Sequence, residues 1–436
     1  MARKSKVDIH LNLNVRGLSQ SSTLAINERS AALQAEGKQV FRLGLGQSPF
    51  PVPQPVTEEL RANAYQRDYL PVRGLPRLRE AVAEFHRRTD GIGCTAADVL
   101  IGPGSKELMF LLQLVYYGDL VIPTPSWVSY APQAQIIGRQ IRWVPAHAEN
   151  DWRLTPSELD KICRRDPSRP RIVVLNYPSN PTGDSYTMDE LRELARIARL
   201  YRVILLSDEI YGELHHRGQH VSIGRFYPEG TIISSGLSKW CGAGGWRLGT
   251  FTFPVSLRWL LDAMAIVASE TFTSTSAPIQ YAAVRAFEGG IEIEQYLDDA
   301  RRILRYLGRH LWRKLRAEDV HVCKPAGGFY LFPDFGAHRD TLKKRGIRTS
   351  NEFCERLLEE TGVAVLPGTD FGRPPEELTL RLAYVDFDGA KALVTARQHY
   401  ANKYLDNEFL ESCCPSVIEA TTRMCDWLRT GPPPAA

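Results

Sequence analysis

The sequence predicts an α/β fold in which a mostly parallel sheet is flanked by helices, together with a smaller α+β domain. Two observations support this prediction. Through the middle of the chain, short apolar segments rich in β-branched residues alternate with amphipathic helical patterns. After about residue 291 the pattern changes to charged helices and short strands. Because 436 residues exceed one average domain, we expect two packed domains.

Three apolar segments predict parallel strands of the larger domain. They cover residues 171–175, 203–206 and 231–234. Each segment runs directly into a polar cluster, and these clusters cover residues 176–183, 207–211 and 235–239. In open α/β sheets, ligands bind beyond the carboxyl ends of the strands. The three polar clusters therefore predict one shared site.

Helical patterns extend the prediction along the chain. Residues 188–201 carry apolar side chains at helical spacing with charged side chains opposite, so we expect a helix that connects two strands. In the second domain we expect a strand at 328–332, a helix at 351–361, and strands near 363–366 and 379–384. A terminal helix is predicted at 417–428, with Pro415 in its first turn.

These patterns divide the chain into three predicted parts. Residues 1–50 form an N-terminal arm and part of the small domain, residues 51–290 form the large domain, and residues 291–436 form the small C-terminal domain with its terminal helix. The large domain carries all three polar clusters, so we expect it to bind the ligand.

Composition and charge exclude several classes of protein. The net charge of +4 is small, and basic residues are spread among acidic ones, so nucleic acid is not expected as a partner. The sequence lacks an apolar run of roughly 18 residues and signal-peptide features, so we expect a cytoplasmic protein without membrane association. Eight cysteines without metal-ligand spacing indicate reduced thiols. His215, His216 and His220 lack an accompanying ligand cluster, so they predict a polar surface loop and no metal site.

Asp208 and Lys239 lie at the ends of successive predicted strands, and together they indicate pyridoxal phosphate chemistry. The aldehyde of this cofactor forms a Schiff base with an amine, and a lysine can hold it reversibly and then move protons. A carboxylate such as Asp208 keeps the pyridine nitrogen protonated, which makes the ring an electron sink. Lys239 needs a lowered pKa for this role, and burial and the positive charge of Arg247 are the expected causes. Tyr211 and Asn180 are candidates for bonding the ring oxygen.

A glycine-rich turn before a predicted helix indicates an anion site. The sequence runs Gly102-Pro103-Gly104-Ser105-Lys106 ahead of the helical segment 107–114. Backbone N–H groups and the helix dipole at such a turn favour a phosphate. The same pattern also begins ordinary helices, so this motif alone leaves both interpretations open.

A series of short motifs follows a fixed order along residues 19–399. The motifs are Tyr69 to Gly74, Gly104-Ser105-Lys106, Pro125-Ser126-Trp127-Val128-Ser129-Tyr130, Asn180-Pro181-Thr182-Gly183, Asp208-Glu209-Ile210-Tyr211, Ser238-Lys239, Gly245-Trp246-Arg247-Leu248-Gly249 and Arg381. Taken together, they resemble the class I/II aminotransferase family of the aspartate-aminotransferase type. The resemblance implies fold type I, the fold of pyridoxal-phosphate transferases.

The resemblance also implies a role for each matched residue. Lys239, Asp208 and Tyr211 are the implied catalytic residues. The implied ligands of pyridoxal 5'-phosphate are Gly104, Ser105, Lys106, Trp127, Asn180, Asp208, Tyr211, Lys239, Arg247 and, from the other subunit, Tyr69. The implied ligands of the substrate are Gly46, Trp127, Asn180 and Arg381, whose planar fork suits the α-carboxylate. A homodimer with shared active sites follows from the implied role of Tyr69.

The implied activity is transfer of the amino group of an L-amino acid to a 2-oxo acid, with 2-oxoglutarate as the expected acceptor. The same fold hosts lyases, decarboxylases and synthases, which stay open as the alternative. A regulator with a DNA-binding module is not expected, since only about 18 residues precede the matched region. The amino donor stays open among aspartate, aromatic and alanine-like amino acids.

The sequence departs from the family pattern at two places. Gly236 stands where many relatives carry a serine that binds the phosphate, so the set of phosphate ligands stays open. Residues 240–245 are rich in glycine where relatives usually carry bulkier residues, so we expect a differently shaped wall near Lys239. Two further roles stay open: Lys106 is a candidate for binding either the phosphate or a distal substrate carboxylate, and Tyr330 for either lining the substrate entrance or packing within a strand.

Overall fold

The computed structural model describes residues 10–18, 20–400 and 404–431, and these ranges contain twelve strands and fifteen α-helices. The strands are β1 (Phe41–Arg42), β2 (Val99–Gly102), β3 (Asp119–Thr124), β4 (Ile141–Pro145), β5 (Arg171–Asn176), β6 (Ile204–Asp208), β7 (Thr231–Gly236), β8 (Gly249–Thr252), β9 (Tyr330–Leu331), β10 (Val363–Ala364), β11 (Leu366–Pro367) and β12 (Leu380–Ala383). The helices are α1 (Ser22–Ala35), α2 (Gln54–Ala62), α3 (Pro76–Asp90), α4 (Ser105–Val115), α5 (Tyr130–Ile136), α6 (Pro156–Arg164), α7 (Met188–Leu200), α8 (Arg258–Thr271), α9 (Ala277–Glu288), α10 (Ile291–Ala317), α11 (Arg339–Lys344), α12 (Ser350–Thr361), α13 (Gly389–Tyr400), α14 (Asn407–Cys413) and α15 (Pro415–Thr430).

The central sheet has seven strands in the order β2-β8-β7-β6-β5-β3-β4. β8 is antiparallel to both of its neighbours, and the other pairs are parallel. The strands predicted at 171–175, 203–206 and 231–234 are confirmed as β5, β6 and β7, with ends that differ by one or two residues. The predicted mostly parallel α/β sheet is therefore confirmed.

Helices cover both faces of this sheet, which explains why its strands are continuous apolar runs. Successive side chains of a strand point to opposite faces. On β5, Ile172 and Val174 pack into the core shared with α4 and α8, whereas Val173 and Leu175 pack into the core shared with α6 and α7. The helix predicted at 188–201 is confirmed as α7, and Thr187 begins it with a capping box.

The register of the sheet places the polar clusters next to one another. Asn176 of β5 pairs with Asp208 of β6, and Asp208 pairs with Ser234 of β7. The carboxyl ends of the three strands therefore lie at the same edge, and the segments that follow them converge on one region.

The C-terminal part contains a three-stranded antiparallel sheet in the order β11-β12-β9 and the 27-residue helix α10. Of the strand expected at 328–332, only Tyr330–Leu331 forms a strand, β9. The helix expected at 351–361 is α12. The predicted terminal helix is longer, beginning at Pro415, and the preceding helix α14 was not predicted. β1 pairs with β10, and one hydrophobic core includes residues from all three predicted parts, so the division at residues 50 and 290 stays a prediction.

The loop that carries His215, His216 and His220 corrects one prediction. His216 is buried and donates from Nε2 to the carbonyl oxygen of Gly328 at 3.0 Å. The side chain of His220 is only 10% exposed and contacts Glu209. The predicted polar surface loop is therefore wrong for these two histidines, because the loop folds back onto the chain that precedes β9.

None of the helices within the described ranges has the length and apolar character needed to cross a lipid bilayer. The same ranges contain no cluster of three or more His, Cys, Asp or Glu side chains that is suited to a metal ion. All eight cysteines are buried and unpaired.

Candidate active site

A cavity of about 600 Å³ opens beyond the carboxyl ends of β5 and β6. Ten residues that the sequence predicted for the site line it: Gly46, Ser105, Lys106, Trp127, Asn180, Asp208, Tyr211, Lys239, Arg247 and Arg381. Gly104 precedes Ser105 at the start of α4. A larger cavity of about 1050 Å³ lies between α1 and α12, but none of the predicted site residues lines it. The chemistry of the site is therefore assigned to the smaller cavity.

Lys239 carries a partly buried amine at the wall of this cavity. Its Nζ donates to the carbonyl oxygen of Gly46 at 2.7 Å and lies 5.7 Å from the ring centre of Tyr211. Burial, together with the positive charges of Arg381 and Arg247, lowers the pKa of Lys239 to about 8. Of these two charges, Arg381 has the larger effect on the pKa, and the sequence did not indicate this effect. An amine with this pKa is a better nucleophile near neutral pH than an ordinary lysine.

Asp208 ends β6 and is buried. Tyr130 donates from its hydroxyl to Oδ2 at 2.6 Å, and Ser234 makes a longer bond to Oδ1 at 3.4 Å. Burial raises the pKa of Asp208 to about 6 in spite of these hydrogen bonds. Tyr130 belongs to a recognised motif, but its bond to Asp208 was not predicted. A cationic ligand next to Asp208 would favour the ionised carboxylate.

Arg381 is a buried cation on β12. Its Nη1 donates to Oδ1 of Asn180 at 3.1 Å, and its Nη2 donates to the carbonyl oxygen of Gly44. Its guanidinium carbon lies 4.8 Å from the ring centre of Tyr330. Nε is buried without a hydrogen-bond partner among the described residues. Because a buried guanidinium with an unused donor is costly, Arg381 is suited to binding an anion.

Tyr211 and Tyr330 share a hydrogen bond of 2.8 Å between their hydroxyl groups. Tyr330 packs against Phe329 within its strand and also lines the cavity, so its role at the substrate entrance stays a prediction. A methyl group on Gly46 would overlap the hydroxyl of Tyr330. Glycine at position 46 therefore allows this tyrosine to reach the cavity.

Positive charge collects at the end of the cavity next to α4. The first N–H groups of α4 have no partner within the helix. Nη2 of Arg247 donates to the carbonyl oxygen of Pro103 at 3.4 Å, which places its guanidinium beside this helix end. Nζ of Lys106 lies 5.2 Å from the ring centre of Trp127. Burial lowers the pKa of Lys106, and the charge of Arg247 adds to that effect. This arrangement favours a phosphate group.

The two departures from the family pattern have structural explanations. A Cβ atom on Gly236 would lie 2.6 Å from the carbonyl oxygen of Leu248, so the close approach of β8 excludes a serine there. Ser238 lines the cavity instead. Gly244 and Gly245 also line it, and a Cβ atom on Gly245 would meet no atom within 4 Å. The wall near Lys239 is therefore open.

Tyr69 is the predicted site residue that lies apart from the others. It is 89% exposed and is not among the residues that line the cavity. Conversely, the cavity wall includes residues that sequence reasoning did not select, namely Ser21, Thr23, Leu24, Gln47 and Asn176. The residues near α1 reach the cavity through tertiary packing and have no motif that marks them.

The model of the family Aminotransferase class I and II matches residues 38–396. The chain belongs to this family. It is 34% identical over 395 residues to an aspartate aminotransferase of Geobacillus stearothermophilus, covering 88% of this chain and 97% of the relative. It is 32% identical over 366 residues to an aspartate/prephenate aminotransferase of Thermus thermophilus, covering 83% and 91%. The solved structure of an aspartate aminotransferase from Thermus thermophilus with maleate has a TM-score of 0.81 and 29% identity, covering 96% of this chain and 100% of that structure.

This aminotransferase is therefore an enzyme of fold type I that depends on pyridoxal phosphate. The residues of the cavity fit the cofactor. Lys239 could offer an amine to its aldehyde, Asp208 a carboxylate to its ring nitrogen, and the cations beside α4 donors to its phosphate. The unused Nε of Arg381 leaves a donor for a substrate carboxylate.

Proposed function

We propose that Lys239 holds the cofactor as a Schiff base, and that the enzyme transfers the amino group of an L-amino acid to a 2-oxo acid, with 2-oxoglutarate as the acceptor. One observation carries this proposal. The amine of Lys239, the carboxylate of Asp208 and the guanidinium of Arg381 line a single cavity. An amine, an acid for the ring nitrogen and a receptor for the α-carboxylate are the three groups that transamination requires.

Bound pyridoxal phosphate supplies an aldehyde that condenses with amines and a ring that withdraws electrons from the α-carbon of the substrate. Asp208 holds the positive charge of the ring nitrogen, and this charge favours the ionised form of a carboxyl whose pKa burial raises to about 6. Tyr211 and Asn180 would bond the ring oxygen, and Trp127 would contact the ring. Each of these residues lines the cavity.

Lys239 moves the proton of the reaction. When the substrate amine replaces it, its Nζ would be free to take the α-proton of the amino acid and to deliver it to the carbon of the cofactor's aldehyde group. Burial and the nearby positive charges, which together lower the pKa of Lys239 to about 8, make the amine able to exchange a proton near neutral pH. The carbonyl oxygen of Gly46, 2.7 Å from Nζ, limits where this amine can lie.

Arg381 binds the α-carboxylate and thereby orients the substrate. Its fork presents Nε, which is unused, together with nitrogens that now contact Asn180 and Gly44. A carboxylate that replaces these weaker acceptors forms two charge-assisted bonds. The α-carbon is then held between the ring and Lys239.

An acidic amino acid is the donor that we propose. The related Thermus thermophilus structure is described with maleate, a short dicarboxylate, and curated relatives are named aspartate aminotransferases. Lys106 lies beside Trp127 in the cavity, where it can contact either the phosphate or a distal carboxylate. The two roles predict different effects of Lys106→Ala: weaker cofactor binding in the first case, and a raised KM for dicarboxylates alone in the second.

We also propose a homodimer in which Tyr69 contributes to the phosphate site of the other subunit. The side chain of Tyr69 is 89% exposed, so it is accessible for a contact with a second copy of the chain. A cytoplasmic location is likewise our proposal, supported by the eight unpaired thiols.

An absorbance experiment tests the proposed function. Purified enzyme is mixed with single L-amino acids in the absence of any 2-oxo acid, and the band of the bound cofactor is followed. We expect conversion to the shorter-wavelength amine form, fastest with aspartate or glutamate, and its loss in Lys239→Ala. Bound cofactor that shows no conversion with any amino acid would favour a lyase or decarboxylase, and a protein that binds no cofactor would refute the proposal.

A further inference from the structure

Arg373 is a buried arginine outside the cavity, in the segment 368–379 that connects β11 to β12. The residue is only 8% exposed. Its Nε and Nη2 donate to the two carboxylate oxygens of Glu377, each at 2.7 Å. Nη1 is directed away from this pair and contacts the central sheet. Arg373 therefore joins the C-terminal part of the chain to the large domain.

The contacts of Nη1 lie at the carboxyl ends of two strands. Nη1 donates to the carbonyl oxygen of Thr124 at 3.1 Å, to the hydroxyl of Thr124 at 3.2 Å, and to the carbonyl oxygen of Ala146 at 3.1 Å. Thr124 ends β3, and Ala146 follows β4. The guanidinium also lies 4.8 Å from the ring centre of Trp152. We call this set of contacts the Arg373 bridge.

Two backbone features strengthen the Arg373 bridge. The N–H of Ser126 donates to the carbonyl oxygen of Phe371 at 3.0 Å. Gly372 has a φ of 82°, and a Cβ atom on it would lie 3.0 Å from Cγ2 of Thr124. A residue without a side chain is needed there, because the two segments approach closely in a left-handed conformation.

A residue that lines the cavity lies near each end of the Arg373 bridge. On the side of the large domain, Thr124 is three residues before Trp127, which lines the cavity. On the other side, the ring centre of Phe371 lies 5.1 Å from the guanidinium carbon of Arg381. The bridge therefore spans from the residue that faces the cofactor ring to the residue that faces the substrate carboxylate.

We propose that Arg373 is a positioning residue that fixes the distance between Trp127 and Arg381, and thereby holds the substrate carboxylate at a set position relative to the cofactor ring. This inference rests on the proposed roles of Trp127 and Arg381. Misplacement of a substrate by about 1 Å can reduce a rate about 100-fold. A bridge outside the cavity is thus expected to affect the reaction without touching the substrate.

An arginine is required for this arrangement. The planar fork of Arg373 binds the carboxylate of Glu377 with one edge and three oxygen acceptors with the remaining nitrogen. A lysine offers one ammonium group, which cannot reach both sides at once. Arg373→Lys therefore preserves the charge but breaks one half of the bridge.

Arg345 provides a matched control in the same part of the chain. It donates to the carbonyl oxygens of Trp427 and Leu428 at 2.7 and 3.0 Å, and its guanidinium carbon lies 5.4 Å from the ring centre of Trp427. Like Arg373, it combines carbonyl contacts with a tryptophan ring. Its partners belong to α15, which contributes no residue to the cavity wall.

The first measurement is amide hydrogen exchange of the cofactor-free protein, because it does not depend on the proposed function. We expect faster exchange at residues 124–128 and 368–379 in Arg373→Ala and Arg373→Lys, with no change there in Arg345→Ala. Unchanged exchange at residues 124–128 in the Arg373 variants would overturn the proposal. If Arg373→Ala fails to fold, Arg373→Lys and Glu377→Gln provide the same comparison.

The second measurement is steady-state kinetics of the holoenzymes at a temperature below the melting point of every variant. We expect kcat/KM for the amino donor to fall about 100-fold in Arg373→Ala, partly to recover in Arg373→Lys, and to change less than about threefold in Arg345→Ala. Equal losses in the Arg373 and Arg345 variants would show a purely structural role and overturn the proposal. If the wild-type protein does not transaminate, the proposed function fails, whereas the exchange result still decides whether the Arg373 bridge orders both segments.

Discussion

Asp208 and Glu209 are consecutive in the chain, yet their surroundings differ sharply. Asp208 lines the cavity. Glu209 is buried behind it, where its Oε1 accepts hydrogen bonds from the hydroxyl groups of Ser207 and Ser222 at 2.7 and 2.6 Å. Its Oε2 accepts a hydrogen bond from Nε2 of His220 at 2.8 Å. Glu209 thus has partners for both oxygens within the protein, whereas Asp208 faces the space where a ligand binds.

The two carboxylates therefore differ in role: the charge of Asp208 is available to a ligand, whereas the charge of Glu209 stabilises the fold. Burial raises the pKa of Asp208 to about 6, so the ionised form is costly without a cation beside it. Burial alone would lower the pKa of His220, but the charge and hydrogen bond of Glu209 outweigh it, and the pKa lies above its ordinary value. Glu209 is paired with the ionisable ring of His220, so its charge stabilises the fold, whereas the internal partners of Asp208 are only the hydroxyl groups of Tyr130 and Ser234, so its charge is available for a ligand.

The largest effect is expected for Asp208→Asn. A neutral amide cannot hold a positive charge on the ring nitrogen, so we expect kcat to fall about 100- to 1,000-fold. The cofactor-free protein should be at least as stable as wild type above pH 6, because the substitution removes an ionised carboxyl whose pKa burial raises from 3.8 to about 6. This advantage should disappear below pH 3.8, where the wild-type carboxyl is protonated as well. Kinetics and thermal melting of both proteins test the prediction, and a destabilised but active variant would contradict it.

Lys239 and Asp208 were selected from the sequence because their chemistry is marked locally, by residue type at the end of a predicted strand, and Arg381 was selected because its motif matches the family pattern. The bond from Tyr130 to Asp208 joins residues 78 positions apart, and the contact of Arg373 with Thr124 joins residues 249 positions apart. Such contacts depend on how helices and loops pack around the sheet, which motif and periodicity do not encode. For the same reason the burial of His216 and His220 was missed, since local polarity alone indicated an exposed loop.

The fold shows the same limit. β5, β6 and β7 were predictable because burial on both faces makes a strand a continuous apolar run. The short β9 and the helix α14 have little periodic pattern of their own, and their limits depend on neighbours that are distant in the sequence.

The second prediction concerns the reactivity of Lys239 in the cofactor-free enzyme. Only the unprotonated amine attacks an aldehyde, so the rate of reconstitution with pyridoxal phosphate should rise about tenfold per pH unit below the pKa of Lys239 and level off above about 8. Stopped-flow absorbance measures this rate, with N-acetyl-lysine as the control for ionisation of the cofactor itself. A rate that keeps rising to about pH 10, as for an ordinary lysine, would show that burial does not lower this pKa.

Glu209→Gln should produce the opposite pattern from Asp208→Asn. The amide keeps the shape of the side chain but leaves at least one buried partner without an acceptor, which costs about 1–3 kcal/mol of unfolding free energy. We expect kcat and KM to stay within about threefold of wild type, because Glu209 does not line the cavity. Urea denaturation measures the stability change. A large loss of activity at unchanged stability would place Glu209 in the catalytic machinery and remove the distinction drawn between the two carboxylates.

The smallest expected effect is the pH dependence of that stability loss. The pKa of His220 lies above its ordinary value of 6.5 in the folded protein, so its pairing with Glu209 stabilises fully below pH 6.5 and progressively less as the pH rises through the folded value. The difference in unfolding free energy between wild type and Glu209→Gln should therefore be larger near pH 6 than near pH 9. Urea denaturation at both pH values measures it, and His220→Gln should abolish the dependence. A difference that is equal at both pH values would mean that His220 is neutral throughout, and that Glu209 is stabilised by its hydroxyl partners alone.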